Sequence, residues 1–326
     1  MSNDAIEITE RTLATNGVEL HLTEAGEGPL VVLSHGFPEL AYSWRHQIPA
    51  LAAAGYHVVA PDQRGYGRSS RPDAIEDYDI HHLTDDLLGI LDDAGAENAV
   101  FVGHDWGSMV VTHQALLHPD RVRALVNMSV PFITRGPVAP ITAMRNVFGD
   151  MFFYILYFQE PGLADKELGD DAARTMRRLL ASVRSAGDLA PDPSFFANDG
   201  RGFVDRIPEP DGLPEWLSQD ELDHYIGEFT RTGFTGGINW YRNFDRNWET
   251  TPQLDGAKAE MPSLFIGGAL DPVVMMTPPI SAHAHLTDHR GDVLVEGAGH
   301  WVQQETPEPV NAALIDFIND VHDRSS

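Results

Sequence analysis

The chain has no cysteine, which removes disulfide frameworks, thiol nucleophiles and thiolate metal sites together. It is poor in positive charge, with 22 Lys and Arg against 49 Asp and Glu and a formal net charge of −27. A surface of that sign repels phosphate backbones and anionic headgroups, so no nucleic-acid partner is expected, and solubility is the plain reading of the charge. No apolar run approaches the ~20 residues that span a bilayer, so no membrane insertion is expected. The opening Met1-Ser2-Asn3-Asp4-Ala5-Ile6-Glu7 lacks the basic patch and apolar core of a secretory leader. A cytoplasmic location is the resulting expectation. Apolar residues are not scarce: 42% of the 326 positions are hydrophobic, enough for one large core carrying an insertion.

Short apolar runs alternate with helical patterns. Val18–Ala25 reads as an early, half-exposed strand, Leu30–Leu33 as a central buried one, and Tyr56–Ala60 as the next. Helical spacing covers Tyr42–Ala53 and Ile80–Ala94, each closed by a glycine, Gly55 and Gly95. Ala99–Val102, Ala124–Met128, Pro262–Gly267 and Asp292–Glu296 continue the strands, and a helix from Pro307 to His322 closes the chain. This rhythm predicts an α/β fold, a mostly parallel sheet flanked by helices. From Phe132 to about Leu254 the rhythm breaks into aromatic-rich, helix-like pieces, read as an inserted helical cap. The expected division is a core of residues 1–131 and 258–326 and a cap of 132–257. Within the cap, Ala186–Pro214 is rich in Pro, Gly and Asp and reads as flexible.

The stretch Gly103-His104-Asp105-Trp106-Gly107 joins a strand to a helix and has the layout of a nucleophile elbow, with Asp where Ser is usual. An ordinary turn with Asp as helix N-cap reads the same five residues; residues late in the chain separate the two readings. An elbow nucleophile needs an acid and then a His after later strands. Asp271 follows the strand ending at Gly267, and His300 follows the last strand through Gly297-Ala298-Gly299. The alternative acid position, after the strand Ala124–Met128, holds Asn127. His81, His82, His113 and His118 lie on helices and read as structural. The backbone N–H of Trp106, with that of Phe37 in the turn His35-Gly36-Phe37-Pro38, forms the expected oxyanion hole.

A carboxylate nucleophile displaces a leaving group at an sp³ carbon and leaves an ester on the enzyme. Epoxide opening and halide displacement both fit. An epoxide oxygen stays on the substrate and must be protonated, which suits a phenol with pKa near ~10. The cap offers Tyr154, Tyr157 and Tyr241, and sequence physics alone does not choose Tyr154 over Tyr157.

The chain resembles the epoxide hydrolases of the α/β-hydrolase fold, both the bacterial members and the hydrolase domain of the mammalian soluble enzyme. The resemblance is carried by His35-Gly36-Phe37-Pro38-Glu39, Asp62-Gln63-Arg64-Gly65-Tyr66-Gly67, the elbow and Gly299-His300-Trp301. The cap motifs Tyr154-Ile155-Leu156-Tyr157-Phe158-Gln159-Glu160-Pro161-Gly162 and Asn239-Trp240-Tyr241-Arg242-Asn243 are the more specific ones. Haloalkane dehalogenases share the core motifs. The resemblance implies conversion of epoxides to vicinal diols without cofactor or metal. Tyr154 and Tyr241 then hold the epoxide oxygen, and a cis peptide precedes Pro38. A pocket between cap and sheet is expected to be largely apolar, which favours a small hydrophobic epoxide as substrate, and the resemblance is compatible with a homodimer. The alternatives are a haloalkane dehalogenase and a retired hydrolase serving as a ligand receptor; the intact set Asp105, Asp271, His300, Tyr154 and Tyr241 speaks against the latter.

Overall fold

The computed structural model describes residues 6–182 and 193–324. Eight strands form one sheet: β1 Ile8–Thr15, β2 Val18–Ala25, β3 Leu30–Ser34, β4 His57–Asp62, β5 Ala99–His104, β6 Val122–Met128, β7 Ala259–Gly268 and β8 Leu286–Val295. Their spatial order is β1-β2-β4-β3-β5-β6-β7-β8. The β1–β2 and β2–β4 pairs are antiparallel and all the others parallel.

Successive residues of the central strands point to opposite faces, and both faces are covered. Leu30, Val32, Val59, Phe101 and Leu125 enter one apolar layer, together with α2 (Ile80–Asp93) and α3 (Trp106–Leu117). Val31, Leu33, Val58, Val100, Val102 and Val126 enter the other, with α1 (Gln47–Ala53) and the closing helix. This is why the runs read as continuously apolar rather than alternating.

Among the described residues, the segment between β6 and β7 carries helices only. They are α4 Pro140–Phe148, α5 Tyr154–Tyr157, α6 Leu163–Asp170, α7 Ala172–Ser182, α8 Gln219–Thr232, α9 Thr235–Arg242 and α10 Phe244–Thr250, besides short 3-10 turns. Helix α8 starts on a capping box in which Ser218 accepts from the Glu221 N–H and Glu221 reaches back to Ser218. After β7 come α11 Pro272–Met276, α12 Val302–Glu305 and α13 Pro307–Asp323. Ile155, Phe158, Leu168, Met176, Tyr225 and Trp240 of the helical segment lie in the same apolar cluster as Phe37, Tyr66 and Trp106 of the sheet-end loops. The helices therefore sit on the loops where the parallel strands end.

Four details differ from the expectations. Strand β1 has no counterpart among the expected strands; it pairs with β2 through Asn16 and Gly17, both at positive φ (46° and 75°), a two-residue hairpin turn that Asn-Gly favours. The helix expected over Tyr42–Ala53 is split into a 3-10 turn, Ala41–Trp44, and α1, because Pro49 is tolerated only in a first helical turn. Strand β8 begins at Leu286, six residues ahead of the expected Asp292; at the sheet edge its polar residues stay half exposed and mask the pattern. Of the stretch expected to be flexible, residues 183–192 lie outside the described residues. Near its C-terminal side, Arg206 bonds the carbonyls of Ser194, Phe195 and Arg201 and the carboxylate of Asp199, so that part is tied down.

Candidate active site

Asp105 is the residue between β5 and α3. Its backbone stands at φ 52°, ψ −119°, a conformation that is strained for a side-chain-bearing residue. The flanking glycines make the turn feasible: a Cβ on Gly103 would collide with the Gly107 oxygen, and one on Gly107 with the Ser34 oxygen. The carboxylate is thereby held above the sheet. Its Oδ1 accepts the Phe37 N–H at 2.9 Å, and its Oδ2 lies 3.6 Å from His300 Nε2.

His300 follows β8 and turns its Nδ1 to Asp271 Oδ2 at 3.0 Å. Asp271 is fully buried after β7, and its second oxygen caps α11 by accepting the Val273 N–H at 2.8 Å. Burial alone would lower the His300 pKa, but Asp271 and Asp105 outweigh it and hold it well above the usual value. Burial likewise pushes Asp105 up, and His300 together with the Phe37 N–H brings it net below the usual carboxylate range. Both shifts favour the charged pair, a protonated His300 beside an ionised Asp105. Asn127, at the other strand end, is used up inside the fold on Ser108 and Thr112.

Tyr154 opens α5 and Tyr241 lies on α9, with ring centroids 5.9 Å apart. Both line the cavity that Asp105 faces, as Trp106 does. Tyr157 does not line it. Burial and, for both rings, the nearby Asp105 charge raise the phenol pKa values, so both stay protonated at neutral pH. The Trp106 and Tyr241 rings meet edge to face with centroids 5.1 Å apart.

Residues 29–307 match the family model of the alpha/beta hydrolase fold. Epoxide hydrolase A of Mycobacterium tuberculosis is 62% identical over 95% of this chain and 97% of its own. The chain belongs to the epoxide hydrolases. Among solved structures, the crystal structure of epoxide hydrolase A from Mycobacterium thermoresistibile superposes with a TM-score of 0.92 at 59% identity, covering 96% of this chain and 98% of that one. Potato epoxide hydrolase I gives 0.87 at 37% identity, over 96% of this chain and 100% of that one.

In this epoxide hydrolase the loop motifs brace one another. His35 is buried, with Nδ1 on the Gly36 carbonyl at 2.9 Å and Nε2 accepting from the Gln63 N–H at 3.0 Å, and Ser34 donates to Gln63 at 2.8 Å. The Phe37–Pro38 peptide is cis. The two cap motifs are stitched by Gln159, which donates to the Tyr241 carbonyl at 3.0 Å, and by Arg242, which donates to the Phe158 carbonyl at 3.0 Å.

Glu39 and His104 join the site from positions that sequence reasoning does not single out, though both stand inside the loop and elbow motifs. Both are fully buried, and His104 Nδ1 meets Glu39 Oε2 at 2.6 Å. Glu39 also accepts the Gly36 N–H at 2.8 Å, and His104 Nε2 holds the His300 carbonyl at 2.8 Å. Ser129 donates to that same carbonyl at 2.8 Å. One buried chain therefore runs from the loop that supplies the Phe37 N–H to the backbone of His300. A motif position does not announce such a partner; only the fold brings residues 39, 104 and 300 together.

The cavity measures about 350 Å³ and is walled by Ile80, Met109, Leu116, Val130, Phe153 and Phe244 among others. Among the described residues, one His/Asp group has metal-ligand spacing, His283, His289 and Asp292. None of the three lines the cavity, and they hydrogen-bond one another, each imidazole lying 2.9 Å from Asp292.

Proposed function

We propose that this chain hydrolyses epoxides to vicinal diols in two steps, with an ester on Asp105 between them. Asp105 attacks an epoxide carbon while Tyr154 and Tyr241 donate to the oxygen, and one phenol passes its proton to the developing alkoxide. Esterification removes the negative charge beside His300. The imidazolium then loses its largest neighbouring support after Asp271 and gives up a proton, which balances the one taken from the tyrosines. Neutral His300, oriented by Asp271, next removes a proton from water, and the water attacks the ester carboxyl carbon. The N–H groups of Phe37 and Trp106 stabilise the oxyanion on Asp105 until it collapses. The ester C–O bond then breaks, the departing alkoxide takes from His300 the proton that came from water and leaves as the diol, and the Asp105 carboxyl returns its proton to His300.

The observation that carries this reading is the placement of the Asp105 carboxylate. It sits between the Phe37 N–H (2.9 Å) and His300 (3.6 Å) and faces two protonated phenols. Haloalkane dehalogenation is less well served, because a halide departs free and leaves the two cavity-lining phenols without a proton to give. The walls favour hydrophobic epoxides. Residues 132–257 act as the cap, and the core is 1–131 and 258–326. A cytoplasmic enzyme working as a homodimer completes the proposal; no described helix is long and apolar enough to cross a membrane.

His300→Gln should react once with styrene oxide and stall, with diol formation slowed roughly 10²–10⁴-fold. Intact-protein mass spectrometry should then find one substrate mass added on the peptide holding Asp105. Asp105→Ala, and Tyr154→Phe combined with Tyr241→Phe, should give no adduct. If a single wild-type turnover in ¹⁸O-water labels the diol and leaves Asp105 unlabelled, water attacks the epoxide directly and the ester mechanism is wrong.

A further inference from the structure

Two imidazoles and a carboxylate converge on one point outside the reaction cavity. His283 lies in the 3-10 turn Pro279–His285, and His289 and Asp292 lie on β8. His283 Nε2 stands 2.9 Å from Asp292 Oδ2, and His289 Nε2 stands 2.9 Å from Asp292 Oδ1. The two rings are 4.4 Å apart between centroids. One ligand atom from each of the three residues lies within 4.8 Å of the other two.

A regular strand would keep these side chains apart, because residues three positions apart on a strand face opposite sides. In the pairing of β7 with β8, Ser263 stands opposite His289 and Phe265 opposite Asp292, so two steps on β7 match three on β8. The extra residue is accommodated at Gly291, whose φ of 139° disfavours any residue with a side chain. Such a bulge re-aims the side chain that follows it, and here it returns Asp292 to the face of His289. The turn ahead of the strand lays His283 over the same spot. The outer nitrogen of His289 is also placed: Nδ1 lies 3.4 Å from the Ser263 hydroxyl. A proton held there leaves the Nε2 lone pair free for a cation, as outer hydrogen bonds do for metal-bound imidazoles. Among the described residues no arginine or lysine pairs with Asp292, whose ion-pair partners are the two histidines. The neighbouring Arg290 is spent on Asp288 and Asp320.

We infer that His283, His289 and Asp292 form a binding site for a divalent cation of the Zn²⁺ class, a clamp between the 3-10 turn and β8 that takes no part in the chemistry at Asp105. Imidazole donors favour Zn²⁺, Ni²⁺ and Cu²⁺, whereas Mg²⁺ and Ca²⁺ prefer oxygen alone. Ligand bonds of ~2.0–2.1 Å around Zn²⁺ set tetrahedral neighbours about 3.3 Å apart. Each imidazole therefore backs off from the carboxylate from 2.9 Å to about 3.3 Å. That is a small move for side chains such as His283, which is 36% exposed. Water completes the fourth position.

The test is equilibrium dialysis of the untagged chain against Zn²⁺ in excess Mg²⁺, the Mg²⁺ occupying sites made of carboxylates alone. One equivalent of Zn²⁺ should bind saturably. Loss of an outer hydrogen bond alone costs roughly 10–100-fold in metal affinity, so His283→Gln and His289→Gln should each weaken that equivalent by at least ~100-fold. The combined variant should also lose the rise in melting temperature that Zn²⁺ gives the wild type. A cooperative melt without metal shows that the variants fold. A measurement on the wild type alone needs no variant: X-ray absorption at the zinc edge of the one-equivalent complex should show two imidazole nitrogens, the remaining ligands being oxygen. Unchanged affinity in the combined variant, binding abolished by Mg²⁺, or a shell of oxygen only overturns the site and leaves Asp292 as a plain acceptor for two imidazole N–H groups.

Discussion

Asp105 and His300 hold opposite charges inside the fold, and their shifts set a pH window. His300 is raised, so its contribution to stability is complete below its unfolded value of about 6.5 and is lost as pH rises through its folded value. Asp105 is depressed, so its contribution is complete above about 3.9 and is lost as pH falls through its folded value. The pair therefore stabilises most between roughly pH 4 and 6.5. The difference in melting temperature between wild type and His300→Gln should be most in favour of the wild type near pH ~5 and should shift toward the variant by pH ~9, with scanning calorimetry as the check. A difference that is constant with pH would mean that the two groups are not charged together in the free enzyme.

At the scale of elements, the loop from Ser34 to Glu39 works as a mould for the elbow. A Cβ on Gly36 would overlap the Asp105 Cβ and lie 2.5 Å from its Oδ1. Gly36→Ala should therefore displace the nucleophile or the Phe37 N–H, and a shift of about 1 Å costs on the order of 10²-fold in rate. Single-turnover kinetics should show ester formation slowed; an unaltered rate would show that the loop yields without moving Asp105. Much of this element is legible in the sequence. The elbow, Asp271, His300 and the oxyanion turn all stand at strand ends, where a short apolar run followed by small residues marks them. Tyr154 is separable from Tyr157 only by resemblance, because the two are three residues apart on one helical turn and the cavity decides between them. Strand β1 escapes the pattern because its outward residues are exposed at a sheet edge, although Asn16-Gly17 is itself a hairpin signal. Glu39 is invisible for a different reason: it matters through partners, His104 and the Gly36 N–H, that only the fold assembles.

For the whole molecule, the helical segment and one face of the sheet share a single apolar cluster, from Leu30 and Phe101 through Trp106 and Phe158 to Tyr225. Polar ties cross the same boundary, among them the Trp240 indole on the Arg64 carbonyl at 3.1 Å and the Ser43 hydroxyl against Tyr225 at 2.7 Å. Cap and core should unfold together, giving one calorimetric transition whose calorimetric and van't Hoff enthalpies agree. Two resolved transitions, with the cap melting first, would show a lid that is thermodynamically separate.

The sheet order has a consequence for biosynthesis. From β5 onward each new parallel strand adds to the same edge, β6, then β7, then β8, so the sheet grows outward in the direction of translation. Asp105 follows β5, while Asp271 and His300 follow β7 and β8. A nascent chain still held by the ribosome thus owns its carboxylate, its elbow and both tyrosines well before it owns a base. On the proposed ester mechanism, an epoxide that reached it then would be bound once and not released, and turnover would begin only when the outermost strand has docked.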